Sequence, residues 1–439
     1  MRILSYVGFP WVRLVRSRGA RLKATRQARG FKVRRFQKNR QKLGRLLATL
    51  FRAGLDVGLT LVGALDVRAL AVRRPLGRRR IAFQAYSVHL AQVFKPIIDV
   101  LRRDPDGIEL SFIILLHPQF PLNSLGELRR FARDDLGFPE AAILFQWQAL
   151  WRRFDLILYA DVYASFPWRA AKHAVLMHGA GLRARMFESH LLRRSIADFD
   201  YVLVNGDYDA RLARPVLDAR GQGKQLLVAG FPFLDRLQQV SITREEYLAR
   251  LGLEPARPTV LVAPHWEALR LVERTPCYVD EIVAALSPLN VNIILKLHAC
   301  SFNRDMGGPV DWSAEMAAIG ASGVARIDTD LDDLVALTHA DLLITDLSSR
   351  SFVFMMVGKP VILYYPFPKD WDTVARARWR QMERGAVVAS AVADIAPLVA
   401  EAARRGWTNP VGLEVGQECF SFQGCATDRV VAILKDVVT

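Results

Sequence analysis

Cysteine is scarce in this chain, and none of it is paired in sequence. The 439 residues include four cysteines, and no two of them form a CxxC motif. So few cysteines in so long a chain indicate a reduced compartment without a disulfide framework. No zinc-ligand spacing links these cysteines to a group of scattered histidines, namely His89, His117, His173, His190 and His339. We therefore predict no metal site.

Several common enzyme signatures and long apolar runs are also missing. The sequence holds no P-loop, no GxSxG and no GxGxxG, so the kinase, hydrolase and dinucleotide-oxidoreductase classes lack support. Residues 46–65 are apolar but are interrupted by Arg52, Asp56 and three glycines, which argues against a transmembrane span. Arg13, Arg16 and Arg18 interrupt any signal-peptide core. The sequence therefore predicts a cytoplasmic protein.

The net positive charge of the chain lies at one end. Residues 1–80 carry 22 Lys and Arg against two Asp, a net of +20, whereas the rest of the chain carries a net of −4. Large apolar residues such as Phe9 and Trp11 are interleaved with this charge, a pattern typical of segments that bind an anionic membrane surface. Nucleic-acid binding and a solvated, partly disordered tail are alternative explanations. Because no nucleic-acid motif accompanies the charge, we predict peripheral association of residues 1–45 with the inner face of the cell membrane, and no nucleic-acid partner.

Short apolar runs alternate with helix-length spacers from residue 80 onward. The first series of predicted strands comprises Ile81–Ala85, Leu110–Leu116, Leu156–Tyr159, Ala174–Met177, Tyr201–Val204 and Gln225–Val228. The second comprises Val260–Ala263, Val291–Leu297, Val324–Ile327, Leu342–Ile344, Val361–Tyr364 and Val387–Ala389. Apolar strands with such spacers predict parallel βαβ units buried on both faces.

Two such series predict two domains, as the length of the chain also does. We expect an α/β protein with two Rossmann-like parallel-sheet domains, residues 80–240 and 255–426, separated by a cleft. A basic, partly amphipathic segment, residues 1–79, precedes them. An apolar helix at 427–439 is expected to cross back to the first domain.

The most informative stretch runs from Ala340 to Pro366. An apolar strand ends at Ile344, and a polar turn with Thr345, Ser348 and Ser349 leads into a helix. The free N–H groups at the start of that helix face the carboxyl edge of a parallel sheet, where anionic ligands usually bind. The pattern predicts a phosphate site at these hydroxyl residues.

Three histidines follow predicted strands and are candidates for proton transfer or phosphate contact. His178 and His298 end strands of opposite domains, so both could reach the same cleft, although a buried structural histidine is the alternative for each. His265 follows another strand, and Trp266 beside it could stack on a base or sugar. Lys296 lies on the same strand face as His298 and could equally be a solvated charge.

A DxD motif, Asp328 to Asp330, could hold a divalent metal beneath a diphosphate. Helix capping of the apolar run that follows explains these aspartates better. A requirement for Mg²⁺ is left open by the sequence.

These motifs together resemble the CDP-glycerol glycerophosphotransferase family, which builds teichoic-acid-type polymers. The matching elements occur in the family's order over about residues 170–435: His178-Gly179, Gly230-Phe-Pro232-Phe-Leu-Asp235, Ala263-Pro264-His-Trp266, Leu295-Lys-Leu297-His298, Leu343–Ser349, Lys359–Tyr364 and Gly424–Arg429. The chain departs from the family pattern at Leu347, His265, Ala180-Gly181, Ala299 and Cys425. The resemblance implies a GT-B fold with the donor nucleotide held mainly by the second domain.

The resemblance also implies a reaction and residue roles. A glycerol-phosphate-type unit would pass from a CDP-alcohol donor such as CDP-glycerol to a hydroxyl of a lipid-linked or polymeric surface acceptor, with no tightly bound cofactor. His178 would be the general base and His298 would contact the transferred phosphoryl group. Donor phosphates would be bound by Thr345, Ser348, Ser349 and Arg429, and the nucleotide by Pro264, His265, Trp266 and Lys359.

Three alternatives remain open at this point. A GT-B glycosyltransferase that uses a sugar nucleotide for capsule or surface polysaccharide would have the same helix and diphosphate. A nucleotide-sugar epimerase would share the fold and need neither acceptor nor membrane. A non-enzymatic basic membrane or nucleic-acid adaptor would bind through residues 1–80 only.

Overall fold

The computed structural model describes residues 78–104, 107–115, 124–163, 171–189, 194–219, 224–303, 306–330 and 333–439, all within one unit that spans residues 58–439. The predicted basic segment, including residues 1–45, lies outside these ranges except for its last two residues. Among the helices described, none is both long enough and apolar enough to cross a bilayer.

Seven parallel strands form the sheet of the first domain, in the order β3-β2-β1-β4-β5-β6-β7. The strands are β1 (Arg80–Ala85), β2 (Glu109–Ile114), β3 (Ile143–Phe145), β4 (Leu156–Tyr159), β5 (Lys172–Leu176), β6 (Tyr201–Val204) and β7 (Gln225–Val228). The helices described in this half are α1 (Val88–Gln92), α2 (Lys95–Arg102), α3 (Leu125–Asp134), α4 (Gln146–Ala149), α5 (Asp207–Asp218) and α6 (Pro232–Asp235).

Six parallel strands form the sheet of the second domain, in the order β10-β9-β8-β11-β12-β13. They are β8 (Thr259–Val262), β9 (Asn292–Leu295), β10 (Arg326–Ile327), β11 (Leu342–Thr345), β12 (Val361–Leu363) and β13 (Val387–Val388). The accompanying helices are α7 (Arg244–Arg250), α8 (Trp266–Leu269), α9 (Tyr278–Leu286), α10 (Trp312–Ala321), α11 (Asp333–His339), α12 (Arg350–Met356), α13 (Thr373–Glu383), α14 (Ile395–Arg404), α15 (Pro410–Cys419) and α16 (Ala426–Val438).

The predicted α/β architecture with two parallel sheets is confirmed. Central strands such as β4 and β8 are buried along their whole length, because helices cover both faces of each sheet. The main error is the edge strand β3, which the sequence did not predict. Its three residues pair with β2 from Phe112 to Ile114, and so short a run carries no periodicity of its own.

The C-terminal helix α16 packs on the first domain. Lys435 forms an ion pair with Asp104 at 2.6 Å, and the helix contacts α2 and α6. At its other end, the buried carboxylate of Asp235 accepts hydrogen bonds from the backbone N–H of Ala426 and from the N–H and hydroxyl of Thr427. Asp235 therefore caps α16 from the junction between the two domains.

Candidate active site

The candidate site lies at the carboxyl edges of the two sheets. Strand order reverses between β1 and β4 in the first sheet and between β8 and β11 in the second, and such switch points leave a crevice for ligands. Residues that follow these strands and their neighbours line a single cavity of about 200 Å³, including His89 after β1, Asp161 after β4, His178 after β5, His265 after β8, His298 after β9, and Ser348 and Ser349 after β11. We call it the first cavity.

His178 is held in the tautomer that a general base needs. Its Nδ1 lies 2.5 Å from the backbone oxygen of Ala160. Because a carbonyl can only accept, Nδ1 must carry the proton of the neutral ring, and Nε2 keeps a lone pair. Burial lowers the pKa of His178 to about 4, although neighbouring Asp161 opposes the shift. The ring is therefore neutral at physiological pH and can accept a proton.

His298 has the opposite arrangement. Its Nδ1 accepts a hydrogen bond of 3.1 Å from the backbone N–H of Cys300, so Nε2 carries the proton and is a donor. Burial lowers the pKa of His298 well below its ordinary value, and the nearby His89 adds to the effect. The ring centroid of His298 is 5.7 Å from that of His89 and 6.1 Å from that of His265. One proton acceptor and one neutral donor thus face the same cavity.

The His178-Gly179 element of the first domain and the Ser348-Ser349 turn of the second domain meet across this cleft. Gly179, next to His178, approaches Ser349 so closely that a Cβ built on it would lie 3.2 Å from the Ser349 Oγ. Any larger residue would require the Ser349 side chain to shift by a few tenths of an ångström, so glycine favours this close approach to the start of α12. The hydroxyl of Ser348 accepts a hydrogen bond from the backbone N–H of Arg350 at 3.3 Å, whereas that of Ser349 has no partner within the described ranges. The Ser349 hydroxyl is therefore available to a ligand.

Asp346, within the family element Leu343–Ser349, positions a neighbouring loop. Both carboxylate oxygens of Asp346 lie 3.0 Å from the backbone nitrogen of His265. Burial raises the pKa of Asp346 to about 8. Asp346 thus joins the end of β11 to the loop that carries His265 and Trp266, and Trp266 also lines the first cavity.

Four arginines line the site, against the carboxylates of Asp161 and Asp333. Arg183 and Arg185 come from the first domain, and Arg350 and Arg378 from the second, and all four line the first cavity. Burial lowers the pKa of His265 well below its ordinary value, and these four guanidinium groups lower it further. Arg183 also forms an ion pair of 3.2 Å with Glu267 in the opposite domain. Such a field favours a ligand with several negative charges.

A second cavity of about 260 Å³ adjoins the first. Five residues line both cavities and lie between them: Leu182, Arg183, Arg185, His265 and Arg378. Its other side consists of residues of the second domain, including Tyr365, Asp370, Trp371 and Asp372. None of His178, His298, Ser348 and Ser349 lines it.

Lys296 and the DxD motif form a buried charged network. Lys296 is 2% exposed and pairs with Asp328 at 3.1 Å, so it is not the solvated strand-end charge that the sequence allowed. Tyr247 donates to the same carboxylate at 2.8 Å, while Asp333 pairs with Arg350 at 2.7 Å. Among the residues that the structure covers, no group of three or more His, Cys, Asp or Glu is arranged to hold a metal ion.

Four of the predicted site residues lie away from the cavities. The Thr345 hydroxyl donates to the carbonyl of Ala263 and so joins two strands, and Pro264 lines neither cavity. Lys359 precedes β12, at the opposite edge of the sheet, and its ammonium group donates to the carbonyls of Thr338 and Ala340. Arg429 is exposed and stacks on Phe422, with its guanidinium carbon 5.4 Å from the ring centroid. A direct contact of these four residues with a ligand stays a prediction.

Sequence reasoning missed His89 and the arginines. Zinc spacing does not identify His89, but its place just after the first strand of a parallel sheet is a signal for the site. Arg183 and Arg185 follow His178 closely and could have been found in the same way. Arg378 lies within a helix rich in charged residues, and nothing in the local sequence distinguishes it.

Comparisons with known proteins concern the sequence and the fold of the chain. Residues 172–393 match the family described as CDP-glycerol:poly(glycerophosphate) glycerophosphotransferase. No curated protein matches the chain in sequence.

Among solved structures, the wall teichoic acid polymerase TagF has 14% identity and a TM-score of 0.59, covering 90% of this chain and 98% of that chain. A TagF variant soaked with CDPG has 11% identity and a TM-score of 0.56, covering 90% and 96%. The UDP-GlcNAc 2-epimerase of Neisseria meningitidis bound to UDP-GlcNAc has 12% identity and a TM-score of 0.51, covering 82% and 100%. At such identities the structures show the shared GT-B-like fold, while the family match concerns the sequence itself.

Proposed function

The chain belongs to the CDP-glycerol:poly(glycerophosphate) glycerophosphotransferase family, and we propose that it transfers a glycerol-phosphate unit from CDP-glycerol to a hydroxyl of a membrane-linked surface polymer. The observation that carries this proposal is the meeting of His178 and Ser349 at one cavity, with the base tautomer of His178 determined by the Ala160 carbonyl. The basic residues 1–45 would hold the enzyme at the cytoplasmic face of the cell membrane, near its acceptor.

The chemical step needs a base, a polarised phosphoryl group and a stabilised leaving group. Nε2 of His178 takes the proton of the acceptor hydroxyl while that oxygen attacks the phosphorus that bears glycerol. The bond between this phosphorus and the bridging oxygen breaks, and CMP leaves with the electron pair of that bond. A phosphodiester to the acceptor is formed, and the proton stays on His178 until it passes to solvent.

The remaining groups stabilise negative charge during transfer. The Nε2–H of His298 is a neutral donor for a phosphoryl oxygen, and the Ser349 hydroxyl is a donor for the diphosphate. Arg183 and Arg350 neutralise the charge that develops on CMP. His265 and Trp266 lie beside these groups and would bind the nucleoside. Because phosphoryl transfer depends mainly on positioning and charge stabilisation, this set accounts for the reaction without a further nucleophile.

The test measures, on the full chain, which nucleotide donor binds and whether His178 is the general base. Thermal shifts with CDP-glycerol, UDP-sugars and CMP-sugars identify the donor, and CMP release with a lipid-linked acceptor measures turnover. His178→Gln should lower kcat by at least about a hundredfold, since general-base catalysis contributes about 10² to 10⁴, and leave donor binding unchanged.

His339→Gln is the matched control. This histidine bonds to the carbonyl of Ile242 at 2.8 Å and lines neither cavity. Equal turnover of the His178 variant and the control would overturn the assignment of the base. Stabilisation by a UDP-sugar in place of CDP-glycerol would favour the glycosyltransferase alternative.

A further inference from the structure

Asp161 is a buried carboxylate close to the base. It directly follows Ala160, whose carbonyl accepts the hydrogen bond from Nδ1 of His178, and it lines the first cavity together with His178. Its side chain belongs to a residue that is only 5% exposed. The turn after β4 therefore presents two groups to the His178 ring, a backbone carbonyl and a carboxylate.

Hydrogen bonds hold the Asp161 carboxylate in place and keep it ionised. The hydroxyl of Tyr86 donates to Oδ2 at 2.5 Å, and the backbone N–H of Val162 donates to Oδ1 at 2.6 Å. Burial raises the pKa of Asp161, but these donors and the nearby His178 and Arg185 outweigh burial, so the pKa lies below its ordinary value. A carboxylate that accepts such bonds stays charged although it is buried.

The charge of Asp161 is not neutralised by an ion pair. In the part of the chain that the structure describes, Asp161 forms no ion pair, whereas Asp333, which lines the same cavity, pairs with Arg350 at 2.7 Å. A buried anion without a cation is costly, because it has lost its hydration and gained no opposite charge. Positive charge that appears beside Asp161 is therefore stabilised.

Charged groups act on the His178 ring from three elements. Burial lowers the pKa of His178 most, and His89 in α1 and Arg183 in the loop after β5 lower it further. Asp161, after β4, raises it. From the second domain, Ser349 approaches this loop at Gly179, and its hydroxyl carries no charge. Asp161 is thus the negative charge among these neighbours of the base.

We infer that Asp161 is a positioning residue for the base, whose carboxylate stabilises the imidazolium that forms when His178 takes the proton of the acceptor hydroxyl. The proton moves from the acceptor oxygen to Nε2, the ring gains one positive charge, and the carboxylate stays ionised and takes no proton. The inference rests on the proposed function and divides the support of the base between two groups. The Ala160 carbonyl determines the tautomer, and Asp161 supplies the opposite charge.

Asp161→Asn tests the charge, because it removes the negative charge and keeps the size of the side chain. We expect kcat to fall about tenfold to a hundredfold, since a neighbouring opposite charge changes a pKa by about one to three units and the ring carries only part of the charge in the transition state. Kd for CDP-glycerol, measured by calorimetry without acceptor, should stay the same or decrease, because a negative charge has left the cavity. Stability in urea should be unchanged or higher, since a buried unpaired anion is gone. A merely structural role would lower stability together with activity.

The protonation of His178 gives a readout that does not depend on turnover. In protein labelled with ¹⁵N-histidine, the His178 signal is the one that is missing from His178→Gln. The parent ring, with a pKa of about 4, begins to gain a proton as the pH falls to 5, and Asp161→Asn should lower the protonated fraction at pH 5 about tenfold or more. The neutral ring should keep its proton on Nδ1 in both proteins, because the Ala160 carbonyl is unchanged.

Two matched variants separate charge from other effects. Tyr86→Phe removes the hydrogen bond to Asp161 but keeps the charge, so its kcat should fall less than that of Asp161→Asn. Asp155→Asn is the control for loss of an aspartate and should keep kcat within about twofold. Asp155 precedes β4 at the opposite edge of the sheet, accepts a hydrogen bond of 2.9 Å from the backbone N–H of Arg80, and lines neither cavity. Asp161→Ser gives a second uncharged variant if Asp161→Asn unfolds.

Three results would overturn the inference and leave the transferase function intact. They are an unchanged kcat in Asp161→Asn, an equal loss of kcat in Tyr86→Phe, and an unchanged protonated fraction of His178 in Asp161→Asn. Failure of the proposed function would appear separately, as absence of CMP release from CDP-glycerol by the unmodified protein.

Discussion

Gly181→Ala tests whether the His178 loop and Arg378 are mechanically coupled. Two separate costs arise from the structure. The φ of +83° is a left-handed conformation that costs a residue with a Cβ about 1–2 kcal/mol. In addition, the new Cβ would lie 2.5 Å from Cδ and 3.0 Å from Cγ of Arg378, and these atoms lie too near the root of the side chain to move freely. Overpacking of this kind costs about 1–3 kcal/mol.

Gly323→Ala separates the two costs. Gly323 has a φ of +74°, and a Cβ on it would have no neighbour within 4 Å, so this variant suffers the backbone strain alone. We expect urea unfolding to show a loss of about 1–2 kcal/mol for Gly323→Ala, and a loss for Gly181→Ala that is larger by about 1–3 kcal/mol.

Activity gives an independent readout of the same coupling. Displacement of Arg378, which lines both cavities, should raise KM in Gly181→Ala, whereas Gly323→Ala should keep the parent KM. Combining Gly181→Ala with Arg378→Ala should restore most of the extra stability loss, because the colliding atoms are gone. Equal unfolding free energies for the two glycine variants would refute the collision.

Two further predictions concern buried carboxylates. Burial raises the pKa of Asp209 to about 7, so the folded state holds a proton that the unfolded state has lost, and stability should fall as pH rises from about 4 to 7. Asp209→Asn removes this titration. Its stability relative to the parent should therefore increase between pH 5 and pH 8 by up to about 3 kcal/mol, because about two pKa units of the shift lie in that interval, at 1.36 kcal/mol each. Parallel curves of unfolding free energy against pH would contradict this. Asp235→Ala leaves the first N–H groups of α16 without their cap and should destabilise the protein by about 2 kcal/mol in thermal unfolding, while Asp436→Ala, on the same helix, should change stability by less than about 0.5 kcal/mol.

Much of the site was predictable because it obeys a local rule. An apolar run followed by a polar turn marks the carboxyl end of a parallel strand, and His178, His265, His298 and Ser349 all satisfy that description. The structure places all four at the first cavity. Lys359 lies instead before β12, at the amino edge of the sheet, where its ammonium group donates to backbone carbonyls and lines neither cavity.

The chain sequence by itself determined the two parallel sheets, their cleft and which histidines stand at its edge. Strand periodicity and connection length leave few other arrangements, so these features follow from local patterns. Only the tertiary structure decided which groups meet across the cleft. Arg378 and Gly181 are far apart in the chain, and their contact depends on how the two domains pack. The tautomers of His178 and His298 were likewise decided by single backbone groups, the carbonyl of one loop and the N–H of another, which no sequence pattern specifies.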